Sequence, residues 1–159
     1  MKKFKNNRTD TDCGVTALEN VRHLAGKKRA KASPRKAGAT KKGGVIHFKK
    51  YQKSVKKIPE VVEVKAKARP KAKDIKAHLL KDKPSGKTQN ASIIHTKKKN
   101  GKKLTDSHLS LAYEAKKGKI KIANWKDEEK VSVVSLKDLQ KNYQIERAYN
   151  IKVKKKKKK

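Results

Sequence analysis

The residues Thr11-Asp12-Cys13-Gly14-Val15-Thr16-Ala17-Leu18 and the run on to Gly26 hold the only cysteine of the chain. Ala17, Leu18, Val21, Leu24 and Ala25 recur at three- and four-residue spacing, which predicts an amphipathic helix over 12–25. Asp12 or Asp10 is placed to cap its start, and Gly26 to end it. Cys13 then falls in the first turn. A thiol has an ordinary pKa near ~8.5, and the positive end of a helix lowers it towards thiolate. Gly14 removes bulk beside the sulfur. Taken alone, a lone cysteine here also suits a small buried core position.

Working outward, the second half of the chain alternates like a sheet. Ser92-Ile93-Ile94-His95-Thr96 reads as a strand, and the Asn100-Gly101 turn leads towards Ser107-His108-Leu109-Ser110-Leu111-Ala112-Tyr113. Lys117-Gly118 is a tight turn into Lys119 to Asn124, and Val131 to Val134 is a further strand. Ser135 caps a short helix through Leu136, Leu139 and Gln140, and Ala148 to Val153 is the last strand. Before these, 58–64 reads as a short strand with Pro59 at its edge, and Lys65 to Lys73 as a basic linker. Residues 74–80 read as a helix with Ile75, Leu79 and Leu80 on one face, stopped by Lys83-Pro84-Ser85-Gly86. The class is α+β, with no internal repeat.

A thiol at a helix start, a histidine opening a strand (His108) and an amide closing the next (Asn124) stand in the order nucleophile, base, orienter. The chain has five histidines, so His108 alone is also an ordinary strand residue. The surrounding words add specificity. Asp12-Cys13-Gly14-Val15-Thr16-Ala17-Leu18, His108 heading a strand, the turn at Lys117-Gly118-Lys119 and Asn124 ending the next strand resemble the papain-like leader-peptidase domain of bacteriocin-exporting ABC transporters, which cleaves after double-glycine leaders. Leu80-Lys81-Asp82-Lys83-Pro84, Ser135-Leu136-Lys137-Asp138-Leu139 and Ala148-Tyr149-Asn150-Ile151 resemble further steps of that family. The likeness covers 1–26 and about 80–153 and is poor over 27–73.

The resemblance implies a papain-like fold, an N-terminal helix carrying Cys13 packed on an antiparallel sheet carrying His108 and Asn124. It implies Cys13 as nucleophile, His108 as base and Asn124 as orienter. Where the family has Asp this chain has Asn124, followed by Trp125 in a position to shield the hydrogen bond from water. Where the family has a Gln donating to the oxyanion, six residues before the cysteine, this chain has Asn7, shorter by one methylene. No metal is expected, because Cys13, His95 and His108 show no ligand-pair spacing, and no cofactor is expected.

The chain of 159 residues carries 48 Lys+Arg against 14 Asp+Glu, a formal charge of +34. Only 33% is hydrophobic and 4% Phe, Trp or Tyr, so the core must be modest. Residues 27–42 hold eight basic residues and no acid, and Lys154 to Lys159 is an unbroken run. The expected organisation is a domain over 1–153, with a basic insertion at about 27–73, and a poly-Lys tail over 154–159. Such segments neutralise phosphates without base readout, making Lys27, Lys28, Arg29, Arg35, Lys36, Lys154, Lys155 and Lys156 candidate nucleic-acid contacts. A solvated lysine-rich surface is the plainer alternative. The single cysteine excludes an internal disulfide, and no stretch reads as a signal peptide or membrane span. The expectation is a cysteine peptidase acting on a peptide substrate, in the cytoplasm or in a nucleic-acid-containing particle such as a virion. The other reading is a non-catalytic basic protein on a peptidase-like scaffold.

Overall fold

The computed structural model describes residue 4 and residues 13–26, 48–81, 87–126 and 129–154. The elements run α1 (Cys13–Leu24), α2 (Phe48–Lys56), β1 (Val61–Ala68), α3 (Ala72–Leu80), β2 (Thr88–Asn100), β3 (Lys103–Lys116), β4 (Lys119–Lys126), β5 (Glu129–Ser135), α4 (Leu136–Asn142) and β6 (Tyr143–Lys154). The six strands form one sheet in the order β1-β6-β2-β3-β4-β5, with every neighbouring pair antiparallel. The expected α+β class and antiparallel sheet are therefore present.

Strand alternation divides the apolar residues between two cores. Ala91 and Ile93 of β2, Leu109 and Leu111 of β3, and Tyr149, Ile151 and Val153 of β6 face one side, under α1 and α2. Ile94, Ala112, Ile120, Ile122 and Ala148 face the other, under α3 and α4. The central strands β6, β2 and β3 are thus buried on both faces. Edge strands β1 and β5 leave Val62, Val131 and Val133 exposed.

The turns follow their sequence chemistry. Gly101 closes the β2–β3 hairpin at φ +63°, and Lys117 and Gly118 close β3–β4 at φ +49° and +74°. Ser135 Oγ accepts from Asp138 N at 3.0 Å, the expected cap of α4, and Leu136 N donates to Gly118 O at 2.9 Å, tying that helix to the hairpin. Gln140 Oε1 accepts from Ala72 N at 3.0 Å and links α4 to α3.

Three expectations change. Lys65 to Ala68 is not linker but the second half of β1, whose partners run from Lys65↔Asn150 to Ala68↔Arg147 on β6. Ladder hydrogen bonds to β6 override a Lys-Ala pattern that favours no strand. Leu80 does not share the face of Ile75 and Leu79, and is 56% exposed at the end of α3. Residues 48–56, within the stretch expected as a basic insertion, form helix α2, which places Tyr51 and Val55 in the first core. The expected arm over 27–42 and the stop at Lys83 to Gly86 lie outside the described residues.

The two-sided burial is testable by mutation. Leu111→Ala, at a fully buried position, should lower unfolding free energy by about 2–5 kcal/mol in urea titration, whereas Leu80→Ala should stay within about 0.5 kcal/mol. Equal losses at the two positions would refute the assignment of faces.

Candidate active site

α1 begins at Cys13, as its sequence periodicity predicts. Ala17, Leu18, Val21, Leu24 and Ala25 are all buried, and so are the polar residues Thr16, Glu19, Asn20 and His23. The helix is therefore enclosed on nearly every side, and its half-exposed Arg22 pairs with Glu60 at 3.5 Å. Gly26, at φ +99°, ends it with its N–H on the His23 carbonyl. The first turn is fixed from outside, since Tyr51 Oη donates to the Gly14 carbonyl at 2.7 Å. The Tyr51 ring packs on Tyr149 at 5.5 Å between centroids, and Tyr149 Oη donates to Phe48 O at 3.4 Å. These contacts hold the Cys13 end of α1 against α2 and β6.

α1 packs across β3 and β4, the strands that carry His108 and Asn124. His108 is half-buried, opposite Thr96 in the β2–β3 ladder. Its Nε2 lies 2.5 Å from the main-chain carbonyl oxygen of Asn124. A carbonyl only accepts, so Nε2 carries the proton and the lone pair of the neutral ring sits on Nδ1. That is the tautomer a thiol base needs. The expectation that Asn124 holds the far nitrogen thus meets a main-chain contact.

The backbone explains how this carbonyl is presented. Asn124 is buried and adopts φ +61°, a left-handed conformation that Asn tolerates better than most residues. The β4–β5 register shifts between Ala123 and Lys126, across the same residue. Strand alternation breaks there, and Trp125 joins the second core against Tyr143, at 4.8 Å between centroids.

Sequence reasoning missed a polar and aromatic cluster beside His108. Ser107 Oγ is 2.5 Å from His95 Nε2, Phe48 stacks on the His95 ring at 4.9 Å, and the Arg147 guanidinium lies 4.8 Å above the Phe48 ring. Burial, with Lys97 adding to it and Glu146 opposing, lowers His95 to about 4, so its ring is neutral at pH 7. The signal lay in the alternation of His95 with Ile93, which puts the ring on the α2 side. Among the described residues no group of three or more His, Cys, Asp or Glu side chains could hold a metal ion.

Of the other expected site residues, Asn7, Lys27, Lys28, Arg29, Arg35, Lys36, Lys155 and Lys156 lie outside the described residues. Lys154 ends β6, exposed, with its N–H on the Glu60 carbonyl at 2.7 Å. No helix among the described residues is long and apolar enough to cross a membrane.

Two outcomes follow from this geometry. In long-range ¹⁵N–¹H spectra, His108 Nε2 should carry a proton bonded to the carbonyl, and Asn124→Gly, which keeps the carbonyl and suits φ +61°, should retain it. Loss of that bonded proton in Asn124→Gly would assign the bond to the side-chain amide oxygen instead. The second concerns acid stability. An unfolded chain takes up the His95 proton near 6.5 but the native state only near 4, so this contribution is complete above pH 6.5 and is lost as pH falls towards 4. His95→Gln should remove about 1–2 kcal/mol from the stability difference between pH 7 and pH 4 in denaturant titrations. An unchanged difference would contradict the burial of a neutral ring.

The same arrangement of helices and strands occurs in solved proteins. The peptidase domain of Streptococcus ComA, a bifunctional ABC transporter involved in a quorum-sensing pathway, superposes with a TM-score of 0.64 at 16% identity, covering 98% of this chain and 100% of that one. The peptidase domain of Streptococcus mutans ComA gives 0.53 at 16% identity, covering 94% and 98%. No protein-family model matches the sequence. No curated protein matches it either. With near-complete coverage of both chains in each superposition, the chain has the papain-like fold of the ComA peptidase domains.

Proposed function

We propose that the chain is a papain-like cysteine peptidase whose triad is Cys13, His108 and Asn124. The observation that carries this reading is the Asn124 carbonyl at His108 Nε2, which leaves Nδ1 as the proton acceptor on a strand beneath the helix that begins at Cys13. The Cys13 thiol gives its proton to Nδ1, helped by the positive end of α1. The thiolate attacks a peptide carbonyl carbon. Backbone N–H groups at the start of α1, with the Asn7 amide, receive the oxyanion. His108 then protonates the departing amine as the C–N bond breaks. Water, deprotonated by the same ring, hydrolyses the thioester and frees the thiol.

The substrate class is a peptide, and the resemblance of the sequence to double-glycine leader peptidases supports cleavage after small residues. The Asn124 carbonyl bears on the departure from Asp at this position, because a main-chain acceptor does its work with either side chain.

A second reading concerns the basic segments. The charge of +34, the acid-free run over 27–42 and the lysines from 154 to 159 favour retention of the peptidase on nucleic acid, through contacts that neutralise phosphates. The other alternative, a non-catalytic nucleic-acid-binding protein on this scaffold, separates from the first at Cys13.

The test is the iodoacetamide alkylation rate of Cys13 from about pH 4 to 10. The wild type should titrate well below the ordinary thiol value, and His108→Ala should move the titration back to near ~8.5. A wild-type rate that rises only near that value and ignores His108→Ala would defeat the peptidase reading.

A further inference from the structure

The two faces of the sheet end differently at β6. On the α1 side Tyr149, Ile151 and Val153 are fully buried. On the other side the row begins with buried Ala148 and continues with Asn150 and Lys152, beyond the cover of α3 and α4. Their register partners are Lys65 and Glu63 on β1, and Ser92 and Asn90 on β2. A groove of about 590 Å³ opens here, with β1 as one wall, α3 as the other and β6 and β2 as floor.

The floor is polar and internally bonded. His78 Nε2 lies 2.9 Å from the Ala91 carbonyl and 3.1 Å from that of Ile151. Asn90 Nδ2 donates to the His78 carbonyl at 2.9 Å, and Ser92 Oγ to Asn150 Oδ1 at 2.8 Å. These bonds span α3, β2 and β6, so the floor is fixed by the fold.

The charge is one-sided. Lys65, Lys67, Arg69, Lys81 and Lys152 line the groove against two acids, Glu63 and Asp74. Glu63 is paired with Lys65 at 3.3 Å, and Asp74 Oδ2 accepts from Lys71 N at 2.8 Å at the start of α3. Arg69 reaches Glu146 at 4.0 Å. Among the described residues Lys67, Lys81 and Lys152 form no ion pair, and they surround a concave space from both walls and the floor.

We propose that this groove binds the phosphodiester backbone of a single-stranded nucleic acid, without reading bases. Lys65 and Lys67 recur two strand residues apart, about 7 Å, a repeat close to that of successive phosphates on an extended strand. Among the described residues the groove lining contains no Phe, Tyr or Trp, and its one aromatic ring, His78, is held by its bonds to the floor carbonyls, so binding is electrostatic and sequence-tolerant. In the sequence, Lys152 of the floor stands two residues before the Lys154–Lys159 run, the densest charge of the chain. The proposal is independent of the catalytic reading.

The test uses the full chain and fluorescence anisotropy with labelled oligo-dT and oligo-rU, from about 50 to 300 mM salt. The groove variant is Lys67→Ala/Lys81→Ala/Lys152→Ala. The control removes the same charge elsewhere, at exposed Lys116→Ala/Lys119→Ala/Lys137→Ala. The groove variant should weaken binding at least about 10-fold and lower the slope of log K against log salt by about 2, while the control should change affinity less than about 3-fold. Circular dichroism checks that both variants fold. Equal losses in the two variants would overturn the proposal in favour of diffuse charge, as would no loss in either. Displacement of the oligonucleotides by poly-Glu more readily than by unlabelled oligonucleotide would overturn it in favour of an acidic polypeptide.

Discussion

Two-sided burial of β6, β2 and β3 is the constraint on which the molecule rests. A chain that is one-third hydrophobic and carries +34 cannot spread its apolar residues thinly, because repulsion among lysines opposes every compact state. The sequence therefore places Ile, Leu, Val, Ala and Tyr at successive positions of three central strands, and helices are needed on both faces to cover them. Each helix is anchored by polar bonds as well as packing. Tyr51 ties α2 to the Gly14 carbonyl, His78 ties α3 to β2 and β6, and Gln140 ties α4 to α3.

The candidate site lies where that packing meets an irregular backbone. α1 crosses the strands that carry His108 and Asn124, and its first turn is held by the tyrosine of α2. The imidazole is oriented by a carbonyl that a left-handed residue turns out of the ladder. The His108 ring is thus positioned by main chain, which has fewer ways to move than a side chain.

Much of this was legible in the sequence. The helix from Cys13, the turns at Gly101 and Lys117-Gly118, the alternation after His108 and the cap at Ser135 all follow from local chemistry that tertiary contacts reinforce. The illegible parts share a cause. In α2 the buried Tyr51 and Val55 are set among four lysines, which swamp the amphipathic pattern. In β1 the Lys-Ala alternation reads as linker because the ladder to β6 is non-local and leaves no trace in the segment itself. The contact from the Asn124 carbonyl was unreadable for another reason, since sequence patterns report side chains and the acceptor is backbone.

The two edges of the sheet give the excess charge a further meaning. Among the described residues β1 and β5 are the edges of the sheet and carry the exposed valines Val62, Val131 and Val133, features by which one sheet recruits a strand from another. Strong mutual repulsion keeps two such edges from meeting. Colloidal behaviour therefore depends on how much of the lysine charge is neutralised at a given moment. Any condition that screens it strips away the barrier to edge-to-edge growth and leaves the valines to act.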